Sequence, residues 1–201
     1  MKLLLIRHGE SEADLLDVHE GRADFPLTER GRCQAQSMAA AVSERETVTK
    51  IYASTLTRAK ETASFLAAST GIAVIFDEDL MEFNNGLLAG LSRKEADEKY
   101  PMIPDLPVDQ SVYGMESKLA FRQRAERVLN RIVTENNSDD TVAVVSHGGM
   151  INQLYHALLG LPVESDFFFC TGDTGVHTCL LKDNGKFIVC ANDCSHLRNN
   201  G

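Results

Sequence analysis

Arg7-His8-Gly9-Glu10-Ser11 brings a guanidinium and an imidazole together directly behind the apolar run Leu3-Leu4-Leu5-Ile6. Three later features complete a set: Thr57-Arg58-Ala59, Glu82, and Ser146-His147-Gly148-Gly149. Singly, each is bland. A lone histidine is ordinarily packed or solvated, Arg58 reads as a helix-surface arginine, and Glu82 reads as any exposed carboxylate. Together they supply what phosphoryl transfer without a metal requires: a nucleophile, cations around the phosphoryl oxygens, and an acid for the leaving oxygen. His8 can attack through one ring nitrogen while a local acceptor holds the other. Arg7 and Arg58 offer planar forks that match phosphate oxygens. His147 can donate a further hydrogen bond, and Glu82 can protonate the leaving group and then activate water.

These residues need elements to position them. Apolar runs without alternation read as buried strands. They predict strands over residues 2–6, 50–53, 73–76, 141–145, 176–182 and 186–191. Helices are predicted from a Thr28 cap to about residue 43, over 57–69, from a Ser92/Glu95 capping box to Tyr100, over 116–135 and over 149–159. In the fourth helix, Phe121, Ala125, Val128, Leu129 and Ile132 form a core stripe with the charges elsewhere. Strands alternating with helices predict an α/β fold, a three-layer α/β/α sandwich with a mostly parallel sheet and a C-terminal hairpin. His8 and His147 then fall at strand carboxyl ends, where open α/β sheets bind ligands. Gly148-Gly149 opens a helix, whose amino terminus favours anions. The stretch 84–114 is irregular, contains Pro101, Pro104 and Pro107, and reads either as a solvated connection or as a lid over the pocket.

The chain has 201 residues, enough for a single domain with a substantial core. Its net charge of −9 argues against nucleic-acid and membrane partners, because phosphate backbones require clustered Lys and Arg. A small phosphorylated ligand needs only two or three cations. No run approaches the ~20 apolar residues of a membrane span, and the apolar stretch behind Met1 is too short for a secretion signal. A cytoplasmic location is expected. The cysteines are Cys33, Cys170, Cys179, Cys190 and Cys194, an odd set that fits reduced thiols. Cys190, Cys194 and His196 match no zinc spacing, so no metal site is expected. Asn184-Gly185 reads as a two-residue hairpin turn that would set Cys179 opposite Cys190.

The segments LLIRHGESEAD, GRADFPLTERGRCQA, IYASTLTRAKETA, Glu82 ahead of Gly86 and Gly90, and VVSHGGMI occur in that order along nearly the whole chain. In this the chain resembles the histidine phosphatase superfamily, in its phosphoglycerate mutase-like branch. The resemblance implies that His8 is transiently phosphorylated, that Arg7, Arg58 and His147 hold the phosphate, and that Glu82 is the proton donor. It implies neither a metal nor an organic cofactor. Asp14, Glu20, Gly21, Arg22 and Gly148 are the candidate substrate contacts, with Glu20-Gly21 where the family's first substrate loop lies. Two departures stand out. Asp14 replaces the usual asparagine, and Leu87-Leu88-Ala89 replaces the usual tryptophan or bulky-acidic residues.

The expected function is a metal-independent phosphomonoesterase acting on a small phosphorylated metabolite. One alternative is a cofactor-dependent phosphoglycerate mutase; another is a non-catalytic phospho-ligand-binding protein. Arg93, Lys94, Lys99 and Lys118 are outnumbered by acids around the stretch 84–114, which favours hydrolysis and a less charged leaving group. Asp14 is expected to turn from the phosphate or to pair with Arg7 or Arg58. At 4 Å two like charges repel by about 4 kcal/mol at an effective dielectric of 20.

Overall fold

The computed structural model describes residues 1–198. One six-stranded sheet runs through the molecule in the order β3-β2-β4-β1-β5-β6. Its strands are β1 (Lys2–Arg7), β2 (Lys50–Ser54), β3 (Val74–Asp77), β4 (Thr141–Ser146), β5 (Val176–Lys182) and β6 (Gly185–Asp193). The first four are mutually parallel, and β5 and β6 join antiparallel beyond β1. The helices are α1 (Glu12–Leu16), α2 (Glu29–Arg45), α3 (Thr57–Thr70), α4 (Arg93–Lys99), α5 (Lys118–Glu135) and α6 (Gly148–Leu159).

The apolar runs of β1 and β4 are continuous because both sheet faces are covered. Leu3, Leu5, Val142 and Val144 bury with Ala125, Val128 and Ile132 of α5 and Ile151 and Leu154 of α6. Leu4, Ile6, Ala143 and Val145 point the other way, into Met38 and Val42 of α2 and Ala63 and Leu66 of α3. Each fully buried large aliphatic contributes about 1.5–3 kcal/mol. The chain leaving β1 reaches α2 on one face, whereas the chain leaving β4 enters α6 on the other. The carboxyl ends of β1 and β4 are therefore a topological switch point, with a crevice between them.

The structure revises the sequence reading in four places. The hairpin turn is Asp183-Asn184, one residue earlier than expected, with Lys182 paired to Gly185. Cys179 consequently faces Ile188, Cys190 faces Thr178 across an irregularity, and both thiols are free. Gly185 has φ 151, which a side chain rarely adopts, and that fixes the turn ahead of it. Helix α5 starts at Lys118, not Glu116, because Ser117 caps it by accepting from the Ala120 N–H at 3.1 Å. Two charged residues on α5, Arg122 and Arg124, are buried, so its charges do not all lie on a solvent face. Finally, α1 forms over five residues that gave no helical pattern.

The stretch 84–114 forms a short 3-10 turn, the two turns of α4, and irregular chain beyond Tyr100. No helix of the described residues is long and apolar enough to cross a membrane.

Candidate active site

His8 sits just past β1, almost fully buried. Its Nδ1 lies 2.7 Å from the Gly9 carbonyl. A carbonyl only accepts, so Nδ1 carries the proton and Nε2 keeps its lone pair. That lone pair takes a long hydrogen bond from Arg58 Nε at 3.3 Å. Burial, then the Arg58 and Arg7 guanidiniums, push the His8 pKa well below its ordinary value. The ring is neutral and nucleophilic at neutral pH.

The turn after His8 is tight. A Cβ on Gly9 would lie 2.5 Å from the Gly31 carbonyl oxygen, so β1's exit and the start of α2 touch backbone to backbone. Thr28 secures the junction, accepting from the Gly31 N–H at 2.9 Å and donating to Glu10 at 2.7 Å.

Arg58 is fully buried in the first turn of α3. It donates to the Gly21 and Ala23 carbonyls at 2.7 and 3.0 Å, and its Nε stands 3.2 Å from Glu20 Oε1. The helix-surface reading of this arginine fails. Two carbonyls of the 20–23 loop receive it, and Gly21 there has φ 50.

Glu20 also accepts from Ser11 Oγ at 2.5 Å, and its Oε2 is 3.8 Å from His8 Nε2. Burial raises the pKa of Glu20. Arg22 points elsewhere: its Nε donates to the Glu82 carbonyl at 3.3 Å and its Nη2 is 3.6 Å from Glu116.

Arg7, at the end of β1, donates to the Thr171 carbonyl at 2.9 Å and stands 3.4 Å from Asp173. Its buried Nε has no hydrogen-bond partner among the described residues. Thr171 is in turn held by His177 of β5, whose Nε2 lies 2.9 Å from Thr171 Oγ1. The Asn192 N–H donates to His177 Nδ1 at 3.2 Å, so the ring proton is on Nε2, facing Thr171. Burial pushes the His177 pKa down to about 4, which keeps that relay neutral. Asp14 accepts from the Ser11 N–H at 2.8 Å and lies 4.0 Å from Arg7 Nη2.

His147 follows β4 and precedes α6, its ring centroid 5.1 Å from that of His8. Its Nε2 lies 2.7 Å from Ser54 Oγ, at the end of β2. The Leu56 N–H donates to the same oxygen, and His147 Nε2 is the one acceptor the Ser54 hydroxyl has among the described residues, so the hydroxyl proton is assigned to that nitrogen. The imidazole hydrogen is then on Nδ1, which is buried and has no partner among the described residues. Burial, then Arg58, push the His147 pKa well below normal, so this donor is neutral. Gly148 lies against Arg7, with a notional Cβ 3.9 Å from its Nε.

Glu82 lies on a loop beyond β3. One oxygen accepts from the Phe83 N–H and the other from the Gly149 N–H at the start of α6, each at 2.8 Å. A Cβ on Gly149 would collide with the carboxylate, so this glycine sets the acid's approach. The loop is clamped from below by Arg124, which donates to the carbonyls of Asp79, Met81 and Glu82 at 2.8, 2.6 and 3.2 Å. Glu116 braces Arg124 at 2.6 Å and accepts from the Asn84 N–H at 2.7 Å.

The fold thus gathers His8, Arg7, Arg58, His147 and Glu82 around the β1/β4 crevice, with Glu20, Gly21, Gly148 and Asp14 at their edges. Arg22 contacts the backbone of the Glu82 loop and Glu116 instead of His8 or Arg7. Sequence reasoning missed Ser54, Thr171, Asp173, His177, Glu116 and Arg124. Ser54 had a signal, a hydroxyl at a strand's carboxyl end. The others act across long sequence separations and had none. In chemical terms, the site offers one imidazole lone pair, two guanidiniums, an unpaired imidazole N–H and an oriented carboxylate.

Comparison with known proteins agrees in both sequence and shape. The model of the histidine phosphatase superfamily (branch 1) matches residues 3–194. Phosphoserine phosphatase 1 of Hydrogenobacter thermophilus is 30% identical over 201 residues, covering 98% of this chain and 94% of that protein. Phosphoglycerate mutase-like protein 4 of Arabidopsis thaliana is 30% identical over 207 residues, covering 100% and 88%. A mycobacterial glucosyl-3-phosphoglycerate phosphatase solved with VO3 superposes with a TM-score of 0.82 at 26% identity, covering 95% of this chain and 98% of that one.

Proposed function

This chain belongs to the histidine phosphatase superfamily, and from that premise we propose that it is a phosphomonoesterase working through a phosphohistidine at His8 on small phosphorylated metabolites. The observation that carries this reading is the fixed tautomer of His8. Its proton is committed to the Gly9 carbonyl, its Nε2 lone pair faces Arg58 Nε, and the His147 ring, whose Nδ1 is unpaired among the described residues, lies 5.1 Å away between centroids.

In the first step Nε2 attacks phosphorus and the bond to the leaving oxygen breaks. Glu82 gives that oxygen its proton. Arg7, Arg58 and His147 take the developing charge on the three other oxygens. In the second step Glu82 removes a proton from water, the water oxygen attacks phosphorus, and the bond to Nε2 breaks. The products are an alcohol and inorganic phosphate, and every group returns to its starting state.

The mutase reading needs a cation for the carboxylate of a phosphorylated acid. Arg22, a candidate substrate contact, puts its Nε on the Glu82 carbonyl and its Nη2 3.6 Å from Glu116, so it already faces a carboxylate of the chain itself. Hydrolysis is favoured accordingly. A non-catalytic binder would have no use for an acid as carefully oriented as Glu82. The test is a panel of phosphate esters incubated with a chelator, with 3-phosphoglycerate mutase activity assayed in parallel. Release of inorganic phosphate that survives chelation supports the proposal, and isomerisation without release supports the mutase.

A further inference from the structure

A cavity of about 590 Å³ lies beneath the segment that follows Glu82. Two of its walls, His19 and Phe83, are the immediate chain neighbours of Glu20 and Glu82. It therefore borders the loops that carry the two carboxylates, although none of His8, Arg7, Arg58, Glu20, Glu82 or His147 lines it, and a leaving group would reach it by extending past those carboxylates. Most of its lining is apolar, including Leu88, Ile103, Leu106 and Val112. Tyr100 and Tyr113 form a wall, with ring centroids 5.2 Å apart. The Tyr113 hydroxyl is spent on the Pro101 carbonyl at 3.0 Å.

The charges around this cavity point the same way. Lys118 is the one lysine or arginine in its lining, against Asp97, Asp105, Glu116 and Glu164. Glu116 is neutralised by Arg124 and Arg22. The side chains of Asp97, Asp105 and Glu164 form no ion pair or hydrogen bond among the described residues. A second phosphate or a carboxylate entering here would exchange part of its hydration for a lining with one exposed lysine and three exposed, unpaired acids. An apolar group loses no hydrogen bonds and gains burial.

We propose that the preferred substrates are phosphate monoesters of uncharged, mainly apolar alcohols of ring size or larger, with the alcohol seated in this cavity. The inference rests on the phosphomonoesterase reading above. Small anionic phosphoesters, such as phosphorylated hydroxy acids, are disfavoured by the same walls.

The test uses propyl, hexyl, 3-phenylpropyl and 5-carboxypentyl phosphates on the full chain. All are primary alkyl esters whose leaving oxygens are nearly alike, so differences report binding of the tail. The expected order in kcat/KM is 3-phenylpropyl and hexyl, then propyl, with 5-carboxypentyl lowest. Each fully buried methylene is worth about fourfold. Val112→Lys, placing a cation in the wall, should raise 5-carboxypentyl relative to hexyl phosphate. Hydrolysis of all four at similar kcat/KM, or fastest hydrolysis of the carboxylated ester, would overturn the inference alone. No hydrolysis of any ester, with no phosphate transferred to His8, would overturn the phosphomonoesterase reading along with it. The wild-type panel decides the matter even if the Val112 variant fails to fold.

Discussion

Two regions meet at Glu82 and are built on opposite principles. The first is the phosphate end, at the carboxyl ends of β1, β2 and β4. There His8, Arg58 and His147 are buried, and each is fixed by backbone or by a short side chain on a neighbouring strand or loop. The second is the segment from Phe83 to Ser117. Its regular structure amounts to a single 3-10 turn and two helical turns, and Met102 is 91% exposed. Asp105 and Tyr113 adopt positive φ there, as do Gly86, Gly90 and Gly114. The contrast teaches a division of labour. On the proposed function, chemistry common to every phosphate ester would sit on elements that cannot move without breaking the core, and selection of the alcohol on chain with few such ties. Glu82 stands at the boundary. It is joined to the rigid side through the Gly149 N–H and through Arg124 of α5, and to the Phe83–Ser117 segment through Glu116, which accepts from the Asn84 N–H.

The largest effect expected of this comparison comes from the rigid side. Arg58→Met removes a phosphoryl donor and leaves the Gly21 and Ala23 carbonyls unpaired, at about 1–3 kcal/mol each. We expect at least about a hundredfold loss of kcat on every substrate alike, since one removed donor of this kind costs about 10²–10³. A loss confined to one ester would mean that Arg58 reads the alcohol, and the division would fail.

At the boundary the effect should depend on the leaving group. Glu82→Gln should slow an alkyl phosphate by about 10²–10⁴. It should slow para-nitrophenyl phosphate far less, because that leaving oxygen needs little protonation. Equal losses on both would reduce Glu82 to a structural role.

Arg124→Lys tests whether α5 positions the acid from beneath its loop. Lysine keeps the charge but cannot span three carbonyls and Glu116 at once. A severalfold drop on the alkyl ester is expected, with para-nitrophenyl phosphate and vanadate inhibition little changed. Parallel loss of all three would show general disruption of the site.

The smallest effect is electrostatic and lies in Glu20. Its pKa is raised by burial, so its protonated form persists to higher pH than for a free carboxylate. Protonated, it can donate to a phosphoryl oxygen; ionised, 3.8 Å from His8 Nε2, it repels the same group. Phosphate inhibition of the wild type should therefore weaken as pH rises through that raised value. Glu20→Gln should show a severalfold flatter dependence. Identical pH profiles for the two proteins would remove Glu20 from the phosphate site.

Legibility in the sequence divided along the same line. The layers, the six strands and the placement of His8 and His147 could be read because Leu3–Ile6 and Val142–Val145 are buried on both faces, a local pattern with one interpretation. Arg58 was legible only in company. What stayed hidden was set by pairing between distant segments. Nothing near Arg124 marks it as the clamp of a loop some forty residues earlier. Nothing near His177 shows that it orients Thr171 and thereby Arg7. The hairpin register slipped by one residue because Asp183-Asn184 and Asn184-Gly185 both make acceptable turns. The rest of the β5/β6 ladder, with its irregularity at Thr178, decides between them.

The central claim is that His8 Nε2 is the atom that takes the phosphoryl group. Rapid quench with ³²P-labelled ester should trap an acid-labile, base-stable phosphoenzyme in the wild type, and none in His8→Ala. Label of equal amount and equal stability in the variant would contradict the assignment and the mechanism built on it.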